Sequence, residues 1–253
     1  MRARLPAMTL TSATAYVTVI FLLAGTVKGV VGLGLPTVAM GLLSLRMPPA
    51  EAAAILLLPS FITNVWQLAE GPRLAGLMRR LWPTLLAIFA STAIAAGVIA
   101  STKSTVASAL LGGALLLYAA AGLLNFHMNV SAQAERWAGP AVGLTTGFIT
   151  GATGTFVVPA VPYLAGLGLA RDELVQALGL SFTVSTVALG LGLLWHDALE
   201  FQAISNSAIA IVPALLGMLI GGWIRRRVSP ERFRRWFFAG LGLLALHLIY
   251  SAL

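Results

Sequence analysis

The 253 residues contain no cysteine, which excludes disulfides, thiolate metal sites and persulfide chemistry. Charge is scarce as well. Asp, Glu, Lys and Arg make up 9% of the chain against 58% hydrophobic residues, whereas a soluble surface carries roughly a quarter to a third of charged side chains. The mean hydropathy of +0.92 agrees: lipid is the solvent for most of this sequence. Acidic residues are the rarest charged class, eight against sixteen basic ones, giving a net charge of +8. That charge does not point to nucleic acid, because the basic residues sit in short loops between apolar runs, where they set membrane orientation.

Long apolar runs are abundant. Leu5 to Val27, Ala52 to Ala69, Leu81 to Thr102, Ser104 to Phe126, Leu174 to Trp195, Phe201 to Ile224 and Trp236 to Leu253 carry no acidic residue. Each is long enough to cross a hydrocarbon layer of about 30 Å, and lipid forces the backbone of each into a helix. The opening MRARLPAM with its apolar run looks like a signal peptide, but the run is long and lacks a cleavage site, so it is read as the first membrane segment. The loops are too short for a soluble domain, and residues 1–253 read as one membrane domain.

Two regions do not fit a plain helix. Gly29, Gly32, Gly34 and Pro36 crowd into eight residues, and Trp137 to Ala170 would make about 51 Å of uninterrupted helix. The second must break too, near Gly151, Gly154 and Pro159. A shift of 122 residues lays Gly29 on Gly151, Gly32 on Gly154, Leu42 on Leu164, Leu45 on Leu167 and Glu51 on Glu173; Pro36 meets Pro159 with one residue inserted. The sequence therefore predicts a duplication, residues 5–126 and 137–253.

Each half holds five segments, some short, broken or re-entrant, so the expected fold is an all-α polytopic membrane protein of about ten segments. Five is odd, and the second repeat must be inverted relative to the first. With alternating sides, Arg73, Arg79, Arg80, Arg136, Arg171, Arg225, Arg226, Arg227, Arg232, Arg234 and Arg235 share one face. Arg2, Arg4, Arg46 and Lys103 take the other. Basic loops mark the cytoplasmic side, which puts both termini on the periplasmic or outer side of a bacterial inner membrane.

Inverted repeats with broken helices bind their substrates near the midplane. Unwound backbone offers amide donors, and a restarting helix offers its positive end, a combination that attracts an anion. The candidates are Lys28, Gly29, Gly32, Gly34 and Thr37 at the first break and Thr150, Gly151, Thr153, Gly154 and Thr155 at the second. Close helix packing is the plainer role for such glycines, and both stay open. Lys28 is the one basic residue inside a motif: it either draws and gates the anion or snorkels to headgroups. Polar stripes follow in each half. Asn64 and Gln67, with Ser60 and Thr63, lie on one; Gln176, Ser181 and Thr183, with Ser185 and Thr186, lie on the other.

Glu51 and Glu173 begin equivalent helices, where an acid satisfies the helix dipole; proton coupling is the alternative. His196, Asp197 and Glu200 match no metal-ligand spacing, and His127 and His247 stand alone. No metal or cofactor is expected. Trp66, Trp82, Trp137, Trp195, Trp223 and Trp236 lie near segment ends as interface anchors.

The stretches GTVKGVVGLGLPTVAMGLLS (Gly25 to Ser44) and GFITGATGTFVVPAVPYLAGLGLARDELVQALGLSF (Gly147 to Phe182) resemble the TauE/SafE-type sulfite exporters, also called the four-toluene sulfonate uptake permease family. The resemblance extends in length and segment order over essentially the whole chain. It implies a bacterial permease of two repeats moving sulfite, sulfoacetate, organosulfonates or other small anions. The first motif departs from the glycine-richer version of many members, with valine and leucine between its glycines and a lysine before them, which leaves the ligand open. The expected activity is export of a small oxyanion by alternating access. An uptake permease or channel for another anion such as a carboxylate, and a membrane scaffold subunit, are the alternatives, and a homo-oligomer stays open. An enzyme is not expected, since no nucleophile, metal cluster or acid–base pair lies at membrane depth.

Overall fold

The computed structural model describes residues 10–101, 104–126 and 128–252. Arg2, Arg4, Lys103 and His127 lie outside the described residues, as do the first residues of the expected opening segment. Among the described residues every regular element is helical: α1 (Leu10–Val31), α2 (Leu35–Leu43), α3 (Pro49–Ala69), α4 (Leu74–Ser101), α5 (Ser104–Leu123), α6 (Ala132–Thr153), α7 (Ala160–Ala165), α8 (Arg171–Trp195), α9 (Phe201–Arg225) and α10 (Pro230–Ala252).

Seven of these, α1, α3, α4, α5, α8, α9 and α10, contain a stretch long and apolar enough to cross a membrane. Helix α6 is as long as α1 but is more polar, with Glu135 and Arg136 near its start and Thr145, Thr146, Thr150 and Thr153 further along. Helices α2 and α7, of nine and six residues, reach only about 14 and 9 Å at 1.5 Å per residue. Their inward side chains are buried, Leu35, Met40 and Leu43 on α2 and Tyr163 and Leu164 on α7.

Backbone chemistry sets the two breaks. Gly34 precedes α2 at φ 104° and Gly154 ends α6 at φ 71°, left-handed conformations that a side chain would strain. Pro36 then sits in the first turn of α2, where its missing N–H costs nothing. The start of α6 is fixed by Ser131, whose Oγ accepts the Ala134 N–H at 3.2 Å. The breaks thus fall at Gly32–Gly34 and Gly154–Pro159, and Gly29 and Gly151 remain helical in the turn before.

Those helical glycines form packing seams. A Cβ on Gly25 would lie 2.2 Å from the Ala214 carbonyl oxygen of α9, and one on Gly29 2.2 Å from that of Met218. From the facing side, Gly217 and Gly221 meet the Leu22 and Thr26 oxygens at 2.3 and 2.1 Å. Helix α6 rests on α4 in the same way: Gly143 against the Thr84 oxygen at 2.5 Å, Gly147 against the Ile88 oxygen at 2.5 Å, Gly151 against Ala95. Small residues spaced by four let the backbones approach, which in lipid replaces hydrophobic burial as the source of helix association. Helix α5 packs on α10, with Tyr118 edge-on to Phe238 at 5.1 Å between ring centroids.

Candidate functional site

Helices α1, α3 and α8 converge behind the first break, and the polar residues of the sequence meet there. Lys28, in the last turn of α1, is 2% exposed. Its ammonium donates to Thr63 Oγ1 at 3.1 Å and to Asn64 Oδ1, both on α3. The Thr63 hydroxyl donates to the Pro59 carbonyl at 2.8 Å, leaving its oxygen free to accept from the lysine. Asn64 Nδ2 turns the other way, to Ser60 Oγ at 3.2 Å and Thr186 Oγ1 of α8 at 3.4 Å. Among the described residues, no carboxylate lies within 4.0 Å of Lys28 Nζ. A buried lysine amine surrounded only by neutral acceptors has no counter-ion, so its charged form is costly unless an anion completes the site.

A cavity of about 840 Å³ reaches this lysine. Lys28, Gly29, Gly32 and Gln67 line its buried end, and Leu178, Leu215, Met218 and Leu219 its apolar wall. Arg171, Arg225, Arg226 and Arg234 line it at the helix ends, against two acids, Glu70 and Glu231. Positive groups outnumber negative ones, and low-dielectric walls focus such a field on an entering anion. Gln67 Nε2 donates to the Gly32 and Val175 carbonyls, each at 3.0 Å, tying the first break to α8. Its Oε1 is buried with no partner.

The remaining candidates lie elsewhere. Gly34 faces Val27 and Phe237, and the Thr37 hydroxyl is buried without a partner. At the second break, Thr150 donates to the Thr146 carbonyl at 2.7 Å and Thr153 to that of Ile149 at 2.6 Å; the Thr153 and Thr155 hydroxyls meet at 2.8 Å. Gly151 packs on Ala95, and Gly154 faces Met40. Thr183 donates to the Gly179 carbonyl at 2.7 Å, while Ser181 is buried with no partner. Gln176 is fully engaged: Nε2 donates to the Leu68 and Gly71 carbonyls at 2.9 and 2.8 Å, and Oε1 accepts the Arg73 N–H at 2.8 Å. This side chain closes the last turn of α3, satisfying backbone groups that a helix end leaves open.

Glu173 accepts the Ala170 N–H at 3.3 Å in the first turn of α8 and lies 3.2 Å from Arg73 Nε. Glu51 is exposed in the first turn of α3. His196, Asp197 and Glu200 occupy the turn between α8 and α9, and among the described residues no group of three His, Cys, Asp or Glu is placed to hold a metal. Sequence reasoning treated the cavity arginines as orientation markers only; the clustering of Arg225, Arg226 and Arg234 around the α9–α10 turn was the available signal.

The family model described as Sulfite exporter TauE/SafE matches residues 17–248. No curated protein and no solved structure matches the chain. An all-helical chain with seven apolar helices of spanning length, matched over almost its whole extent, belongs to the TauE/SafE sulfite exporter family of membrane transporters.

Proposed function

We propose that this protein exports a small oxyanion, such as sulfite, sulfoacetate or a related organosulfonate, across the bacterial inner membrane by alternating access. The carrying observation is Lys28, buried, bonded only to neutral groups, and set at the inner end of an arginine-lined cavity. Fully ionised sulfur oxyanions are acceptor-only ligands, which a lysine and backbone or side-chain amides suit. The inside-negative potential favours anion exit by about 2.3 kcal/mol per charge per 100 mV, so export needs no coupling ion. No bond is made or broken.

Two inverted repeats of five segments form the scaffold of this proposal, residues 5–126 and 137–253. Recurring contacts support it. Helices α1 and α6 span the same 22 residues once shifted by 122, and Gly29 against Met218 recurs as Gly151 against Ala96. Gly25 against Ala214 likewise recurs as Gly147 against Thr92. The inversion is supported by α3 and α8: Ser60 and Asn64 adjoin Thr186, while Leu68 and Gly71 adjoin Gln176, so the equivalent helices run antiparallel. The cavity arginines then face the cytoplasm and both termini the outside.

The test is flux into and out of proteoliposomes for sulfite, sulfate, thiosulfate, sulfoacetate, taurine and small carboxylates, with and without imposed voltage and pH gradients. Saturable sulfite or sulfoacetate movement, accelerated by a potential negative on the arginine side, is expected. If no anion on the panel moves or binds, the proposal fails.

A further inference from the structure

The arginine-lined cavity has a counterpart that is shut. Shifted by 122 positions, its lining at the end of α3, Trp66 and Gln67 on the helix and Glu70 just after it, becomes Ala188, Leu189 and Gly192 on α8. Its lining on α9, Leu215, Met218 and Leu219, becomes Ala93, Ala96 and Gly97 on α4. The first set borders open space; the second is packed tight. A Cβ on Gly192 would stand 2.4 Å from Ala96 Cβ and 2.9 Å from the Ala93 oxygen. Ala96, Ala188 and Leu189 are fully buried. At the end of α8, His196 Nε2 lies where a Cβ on Gly97 would meet it at 2.7 Å.

Resting on the transport reading above, we infer that this packed α4–α8 seam is a second anion vestibule in its closed state, opening on the face opposite the arginines when the first cavity shuts. If the halves exchange conformations, the space now between α3 and α9 reappears between α8 and α4. The released anion then passes the second break, where the counterparts of Lys28, Val31 and Leu33 are Thr150, Thr153 and Thr155. One lysine and two aliphatic side chains are replaced there by three threonines. Most counterparts of the cavity charges are neutral: Arg171 corresponds to Pro49, Arg226 to Ser104, Arg234 to Gly112, Glu70 to Gly192 and Glu231 to Ala109, while Arg225 corresponds to Lys103, which lies outside the described residues. The loading side therefore carries five cationic positions and two acidic ones, and their counterparts on the release side include one basic residue and no acid. An anion is gathered more strongly on one face than on the other.

The natural absence of cysteine allows a direct test. Ala96→Cys and, as a second probe of the same seam, Ala93→Cys report on the closed vestibule; Met218→Cys reports on the open cavity; Ala245→Cys, fully buried on α10, reports on general loosening. Each is labelled with a membrane-impermeant maleimide in vesicles of known orientation, with and without sulfoacetate, alongside flux by the cysteine-free protein. During sulfoacetate turnover, seam labelling from the face opposite the arginines is expected to rise about fivefold while Met218→Cys labelling falls. Sulfoacetate flux with both seam cysteines unlabelled overturns this inference and leaves the transport reading standing. Labelling of Ala245→Cys in parallel with the seam also overturns it. Absence of flux for every anion on the panel removes the transport reading and this inference with it.

Discussion

Asn64 and Thr186 meet across the α3–α8 contact, Nδ2 to Oγ1 at 3.4 Å, and they stand 122 positions apart. Under the proposed duplication each is the other's counterpart, and a residue touches its own copy only on the axis relating the halves. Asn64 turns its Oδ1 to Lys28, so the buried lysine amine lies one hydrogen bond from that axis. Its counterpart Thr150 is uncharged, and the symmetry of the fold ends at the chemistry of the site.

Lys28→Met is expected to raise the KM for sulfite or sulfoacetate about tenfold to a hundredfold, as loss of a charged hydrogen-bond donor costs about 1.5–3 kcal/mol. No carboxylate is stranded by the change, so the protein should still purify as a folded species. Flux kinetics on a variant of normal chromatographic behaviour decide the matter. Unaltered kinetics would remove Lys28 from the site.

Substituting Gln at Arg225 and Arg226 weakens the field at the cavity rather than the contact at its end. Initial flux at low substrate should fall, and its dependence on ionic strength should flatten, because screening acts on those charges over about 10 Å at 0.1 M salt. Measuring rates across a salt series separates this from damage to folding, which lowers the rate at every ionic strength alike.

Gly25→Ala and Gly147→Ala should destabilise by similar amounts, about 1–3 kcal/mol of overpacking each, since both side chains would enter the neighbouring backbone. Thermal unfolding in detergent measures both. A large loss at one site and none at the other would count against equivalent seams.

Glu173→Gln removes an ion pair whose arginine side chain is 73% exposed, and such pairs contribute about 0–1 kcal/mol. The expected outcome is unchanged pH dependence of flux with nearly unchanged stability. A pH profile displaced by this substitution would instead give the residue a proton-coupling role. Gln176→Leu, by contrast, should lower folded yield strongly while leaving KM in place, because its amide serves the end of α3 and lines no part of the cavity.

The helices and their breaks were legible because lipid imposes a length on apolar runs and because Gly and Pro interrupt them. Which glycine does what was not. Gly29 and Gly32 look alike in sequence, yet one faces Met218 inside a helix and the other adopts φ 84° in the break. That distinction depends on α9, nearly two hundred residues away. Asn64 lies on a polar stripe of the sequence, but its pairing with Lys28 depends on α1 and α3 both packing on α9. Gln176 lies on the second stripe and has a different task, tying α8 to the end of α3. Polarity marks a buried amide as important without saying whether it meets a ligand or a backbone. The start of α4 at Leu74 was missed because Arg79 and Arg80 interrupt its apolar run, although basic side chains near a helix end can extend out of the hydrocarbon.

The glycine seam between α1 and α9 bears on how the protein is made. Gly25 and Gly29 find their partners, Ala214 and Met218, only after 189 further residues have been synthesised. At about 5–20 residues per second, α1 waits some ten to forty seconds in the bilayer with its groove unfilled. Insertion and assembly are thus separated in time for this helix, and until α9 emerges its groove is open to any other small-residue helix.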